Sequence, residues 1–163
     1  MERSTVDTLA GGTARLDHVA HAVRSIVSVL PLYVELLGGQ FLRGGANQHF
    51  GYTGAQFAMP AGGCIEVIEP LPGSHFLDSF FRRNSDGGLH HVTFLVDSVE
   101  EVAGAAERAG YEVVATNYGA LRQEAFLHPR STSGVLIQIT AGTGAAKDGP
   151  TSLAELLEPN LPA

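Results

Sequence analysis

The chain spells much of its pattern twice, and that repetition narrows the fold more than any other feature. "LDHVAHAV" (16–23) and "LHHVTFLV" (89–96) share Leu, His, Val and Val in register. Each run alternates like a strand, and each leads into a helical pattern. In the first copy Ile26, Leu30, Tyr33 and Leu37 are spaced for one helix face ending at Gly38–Gly39, with Pro31 either interrupting the helix or opening it. In the second copy Ser98 and Glu101 form a capping box. Val102, Ala105, Ala106 and Ala109 make that helix's apolar face, and Gly110 ends it. Three strand-like runs follow each helix: "QFLRGG", "GYTGAQFAM" and "CIEVIEP", then "YEVVAT", "QEAFLH" and "GVLIQIT". Both copies therefore read strand–helix–strand–strand–strand. The reading divides the chain into a flexible leader (1–14), a first module (15–72), a linker helix and loop (73–87), a second module (88–140), and a flexible tail with a short helix (141–163).

The repeat also assigns each polar strand residue a counterpart. His18 pairs with His91, Asp17 with His90, and Glu66 with Gln138. "FAMPAGGCIEVI" (57–68) is set against "FLHPRSTSGVLIQI" (126–139), which places Phe57 opposite Phe126. His18, Glu66, His91 and Gln138 thus occupy the first and last strands of two copies. Related copies packed about a pseudo-twofold axis bring two imidazoles, a carboxylate and an amide to a common centre. Nitrogen and oxygen donors of that kind suit Zn, Ni, Co, Mn or Fe(II).

Composition excludes several alternatives. An apolar fraction of 44% with 17% charged residues is that of an ordinary globule, and a formal charge of −7 argues against a nucleic-acid partner. No stretch approaches the ~18 apolar residues of a membrane span. Residues 1–14 carry no apolar core of a secretory signal. Cys64 is the only cysteine, so no intrachain disulfide can form. A reducing, cytoplasmic setting is expected, with Cys64 an inert core residue.

The motifs "LDHVAHAV", "IEVIEPLPGS", "DGGLHHVTFLVDS" and "FLHPRSTSGVLIQI", in that order over roughly residues 15–140, resemble the vicinal oxygen chelate superfamily. That superfamily holds glyoxalase I, methylmalonyl-CoA epimerase, extradiol dioxygenases, and fosfomycin- and bleomycin-resistance proteins. The resemblance is greatest to the epimerase-like and glyoxalase I-like members. It implies an α+β fold of two tandem βαβββ modules forming a cupped mixed sheet around a central metal cleft. It further implies one divalent ion held by His18, Glu66, His91 and Gln138, a small-molecule substrate and a homodimer. In the epimerases the ligand at the Gln138 position is a glutamate that also acts as a base. A second catalytic glutamate corresponds here to Gln56, which becomes a candidate substrate-binding residue.

Glutamine cannot take a proton, so epimerisation by two opposed bases loses both of the family's bases here. Glu66 remains as the base. One carboxylate beside a Lewis acid suits a same-face proton shuttle through an enolate or enediolate, in an isomerase or lyase acting on a small oxygenated substrate such as a thioester. Gln138 then binds weakly through its carbonyl oxygen or positions substrate. His18, His91 and Glu66 also have the composition of an Fe(II) dioxygenase site. A metal-free drug-sequestering protein is the third reading. Elsewhere, His90 points away from His91 toward packing or a supporting hydrogen bond. Glu69 is expected in solvent. Strict alternation puts Glu124 opposite the cavity, and Phe76, Phe80 and Phe81 read as a plug between modules.

Overall fold

The computed structural model describes residues 12–120, 122–142, 150 and 152–158. Most of the expected leader, and residues 143–149, 151 and 159–163 of the expected tail, lie outside the described residues. The chain divides into two compact units, His18–His90 with the C-terminal segment, and His91–Gly144 with the residues up to Asp17.

The N-terminal unit takes most of β1 (Arg15–Ala22), followed by a helical passage, then β2 (Gln40–Asn47), β3 (Tyr52–Ala58) and β4 (Cys64–Pro70). Its strand order is β2-β3-β4-β1, with β4 parallel to β1 and antiparallel to β3. In the helical passage Pro31 opens a helix, one of the two expectations, but the helix is of π rather than α type. A 3₁₀ turn covers Ile26–Val29, and a π-type helix covers Pro31–Leu36. Pro31 has no N–H to donate, and its ring crowds the preceding turn, so one continuous α-helix cannot cross it. Of the expected apolar face Ile26 is fully buried, whereas Leu37 stands exposed. Val23, Ile26, Ala55, Phe57 and Val67 form a core on one sheet face. A short helix, α3 (Leu153–Leu157), closes that core with Leu156 and Leu157. The linker contributes α1 (Asp78–Phe81). Leu77 and Phe81 bury against Ala22, Tyr52 and Ile68 on the other face. Phe76 stacks on Tyr52, and Phe80 meets His90 at the start of the second copy of the repeat.

The C-terminal unit repeats the pattern with most of β5 (Gly88–Leu95), α2 (Val99–Arg108), β6 (Val113–Tyr118), β7 (Arg122–Leu127) and β8 (Ile137–Gly142). Its order is β5-β8-β7-β6, with β8 parallel to β5 and antiparallel to β7. Both halves are therefore βαβββ, as the repeat implied. Ser98 Oγ accepts from the Glu101 backbone N–H at 3.2 Å, so the cap is real. Val99, Ala103, Ala105 and Ala106 are buried, while Ala109 is exposed. The helix ends at Arg108, and Gly110 turns the chain away with φ of +89°, which lifts Ala109 off the packed face.

Candidate functional site

Parity along the strands decides which side chains share a face. In the N-terminal unit Ala20 pairs with Glu66, and Gln56 also pairs with Glu66. His18, Gln56 and Glu66 consequently project from one face, and all three are buried. His18 Nε2 lies 3.3 Å from Glu66 Oε2. Gln56 Nε2 donates to Glu66 Oε1 at 3.2 Å and to His18 Nδ1 at 3.4 Å. Arg43 Nε donates to Gln56 Oε1 at 2.7 Å, which fixes the orientation of the amide. Gly54 makes room for this cluster, since a Cβ there would lie 3.3 Å from Glu66 Oε1. Cys64 is only half-buried, with Sγ 4.0 Å from Gln56 Oε1, and so is not the core residue expected.

The donor chemistry fits a divalent ion. Two ligands about 2.1 Å from one tetrahedral centre stand about 3.4 Å apart, close to the 3.3 Å between His18 Nε2 and Glu66 Oε2. The imidazole and the carboxylate are the borderline-hard donors such ions accept.

In the C-terminal unit Gln138 pairs with Thr93 on β5 and with Phe126 on β7. His91 is buried on this same face and meets Phe126 edge to face at 5.8 Å. Gln138 is fully buried. Its Oε1 accepts from Thr93 Oγ1 at 2.7 Å, and its Nε2 donates to Glu124 Oε2 at 2.7 Å. Glu124 in turn pairs with Arg122 Nη2 at 3.2 Å. The expectation that Glu124 faces away is therefore wrong. Phe126 and Gln138 are cross-strand partners, so Glu124, two residues from Phe126, shares Gln138's face. The same register shows why. Glu66 pairs with Gln56 and Gln138 with Phe126, so the counterpart of Phe126 is Gln56, one residue from the assigned Phe57.

Other residues settle away from these clusters. Burial lowers the His90 pKa to about 4, with the charge of Glu66 opposing, and its ring packs against Phe76 and Phe80. His21 meets the Tyr33 hydroxyl at 3.0 Å, and burial lowers its pKa. Glu69 is buried rather than solvated, its Oε2 accepting from the Ile26 backbone N–H at 2.6 Å. It satisfies the first amide of the 3₁₀ turn, a long-range cap that local pattern does not reveal. Arg43, Arg122 and Thr93 carried no signal in the sequence. Glu124 did, as an acid inside an apolar strand.

A family model described as the glyoxalase/bleomycin resistance protein/dioxygenase superfamily matches residues 17–126. An uncharacterized protein of Bacillus subtilis is 31% identical over 134 residues, covering 80% of this chain and 94% of that protein. An ethylmalonyl-CoA/methylmalonyl-CoA epimerase of Cereibacter sphaeroides is 26% identical over 129 residues, covering 77% and 96%. The solved structure of a hypothetical protein from Bacillus halodurans matches with a TM-score of 0.71 and 32% identity, over 83% of this chain and 99% of that one. With an α+β pair of βαβββ units and a family match over most of its length, this chain belongs to the glyoxalase/bleomycin resistance protein/dioxygenase superfamily.

Proposed function

We propose that the chain is a metal-assisted isomerase of the epimerase type, moving a proton at the carbon beside the carbonyl of a small thioester. The buried His18–Glu66 pair, oriented by Gln56, carries this reading. A relative named as an ethylmalonyl-CoA/methylmalonyl-CoA epimerase supports the substrate class. His18 and Glu66 would hold the ion, with His91 and Gln138 at the repeat-related positions. Gln138, whose oxygen already accepts from Thr93, contributes orientation more than bond strength. A bound divalent ion supplies Lewis-acid stabilisation of the negative charge that develops on the substrate oxygen.

The chain's own groups do the rest. Glu66 is the carboxylate that removes the proton, with its Oε1 held by the Gln56 amide, and a solvent-derived proton returns to the opposite face of the enolate carbon. Arg43 donates to Gln56 Oε1 and so fixes the amide that orients the carboxylate. His18 and Glu66 are buried, and the low local dielectric strengthens their electrostatic action on the charge that develops. Glu124 is engaged by Arg122 and Gln138, which disfavours it as a free base.

The test is solvent exchange of the α-proton of methylmalonyl-CoA in deuterated water, run beside metal analysis. The wild-type protein should hold about one divalent ion and exchange the proton. Glu66→Gln should slow exchange about 10²–10⁴-fold, and His18→Ala should lose the ion. Oxygen consumption with stoichiometric iron would replace this reading with the dioxygenase. Tight ligand binding with neither metal nor exchange would replace it with a sequestering protein.

A further inference from the structure

The strand that carries Arg43 has little support of its own. β2 is an edge strand, paired with β3 alone. Its register shifts between Phe41 and Arg43, so the ladder is interrupted just before the arginine. Gly44 and Gly45 follow, with Gly45 at a φ of +155°. Two glycines in a row add backbone freedom and remove side-chain packing. Yet the Arg43 guanidinium fixes the Gln56 amide, and that amide holds Glu66 Oε1. Another element has to steady β2 at this point.

The C-terminal helix does so. Side chains alternate along β2, so Arg43 faces the His18–Glu66 cluster and Gly44 faces the opposite side. There its cross-strand partner Ala55 belongs to the core that α3 closes. A Cβ at Gly44 would lie 2.8 Å from Leu156 Cδ2, 2.7 Å from the Gly54 carbonyl oxygen and 3.2 Å from Phe41 Cε2. No side chain fits in that space. The Leu156 methyl therefore rests on the β2 backbone, one residue from Arg43. Contacts packed this closely transmit displacement, because a protein interior is barely compressible. α3 itself has five residues, too few for a stable isolated helix. Its position is set by docking Leu153, Leu156 and Leu157 into the core.

We infer that Leu156 is a positioning residue for Glu66. Through Gly44 it sets Arg43, which sets the Gln56 amide and with it the carboxylate beside His18. All of these residues lie in the N-terminal unit. The use made of Glu66, as base and ligand, rests on the isomerase reading. The link from α3 to Gln56 does not.

Two measurements on the full chain test this. The first needs no metal. Exchange of the Arg43 Nε–H with water is followed by NMR, the signal being assigned by its absence in Arg43→Lys. The proton should be protected in the wild type. Leu156→Ala should speed its exchange about tenfold, and Leu156→Met should restore most of the protection. Leu156→Val, which removes less, carries the same comparison if the alanine variant does not fold. Leu157→Ala is the control. Leu157 is buried in the same core, but its side chain is not among the atoms nearest Gly44. That variant should lower the unfolding midpoint and leave the exchange unchanged. An unprotected proton in the wild type overturns the inference, and so does equal acceleration by Leu156→Ala and Leu157→Ala.

The second measurement is zinc affinity by calorimetry in a double-mutant cycle. Leu156→Ala and Arg43→Met should each weaken zinc binding about tenfold. The double variant should bind no more weakly than Arg43→Met alone, because both changes act on one amide. Losses that multiply put Leu156 on a separate route and overturn the inference. No zinc binding by the wild type, with protection of Arg43 still dependent on Leu156, removes the metal-assisted reading and leaves the positioning link standing.

Discussion

The two βαβββ units share a scaffold but order their polar side chains differently. In the N-terminal unit the chain runs Arg43, Gln56, Glu66, with the carboxylate beside His18. In the C-terminal unit it runs Arg122, Glu124, Gln138, with the amide nearest the histidine strand and the carboxylate one step back. Strand register makes Ala20 the counterpart of Thr93 and Gly54 the counterpart of Glu124. The small residues leave Glu66 room to face an imidazole. The larger ones grip Gln138 at both ends of its amide. The same fold thus hosts an ionisable centre in one half and a rigid neutral brace in the other.

Breaking the brace should have the largest effect. Glu124→Ala leaves the Gln138 amide and the Arg122 guanidinium without their shared partner and should cost about 3–5 kcal/mol in urea unfolding. A loss under 1 kcal/mol would mean that the C-terminal unit is no more rigidly built than its counterpart.

Making the second half resemble the first should cost less. Gln138→Glu sets a second carboxylate against Glu124, with Arg122 to offset part of the repulsion, and should destabilise by on the order of 2 kcal/mol at neutral pH. Repulsion favours proton uptake by the folded state over the unfolded one. The variant should therefore regain stability as pH falls toward the carboxylate range, opposite to an ordinary salt-bridged acid. Paired unfolding curves at pH 7 and pH 5 give the sign.

Filling the room around Glu66 sharpens the comparison from the other side. Gly54→Ala places a Cβ 3.3 Å from Glu66 Oε1. The carboxylate must shift by a few tenths of an ångström, and zinc affinity measured by calorimetry should fall about tenfold. Affinity unchanged from wild type would show that Gly54 is not what frees Glu66.

The smallest effect concerns His21, present in the first unit where the second has Phe94. Burial lowers its pKa below the usual 6.5. The unfolded chain then takes up the proton first on acidification. The associated stability is full above pH 6.5 and declines as pH falls through that value toward the folded pKa. His21→Phe should flatten this part of the stability profile, and an unchanged slope would assign it to another group.

The repeat, the eight strands and the helix at 99–108 could all be read from alternation, capping and turn residues, because these are short-range properties of the chain. His18 and Glu66 could be read for the same reason, as polar residues at matching points of two apolar strands. Glu124 could not be placed. A slip of one residue between the two βββ segments reverses every side chain, and the register is set by hairpin pairing rather than by the strand's own sequence. The break at Pro31 was visible but not its outcome, since a proline permits several helical arrangements and the packing of Ile26 against the sheet selects one. Glu69 was misread because its partner, the Ile26 amide, lies 43 residues away. By itself, then, the sequence determined a duplicated βαβββ chain with a histidine and a polar residue in each copy. The tertiary structure decided which carboxylate faces an imidazole and which faces an arginine, because only folding sets the long-range pairing that turns each strand face inward or outward.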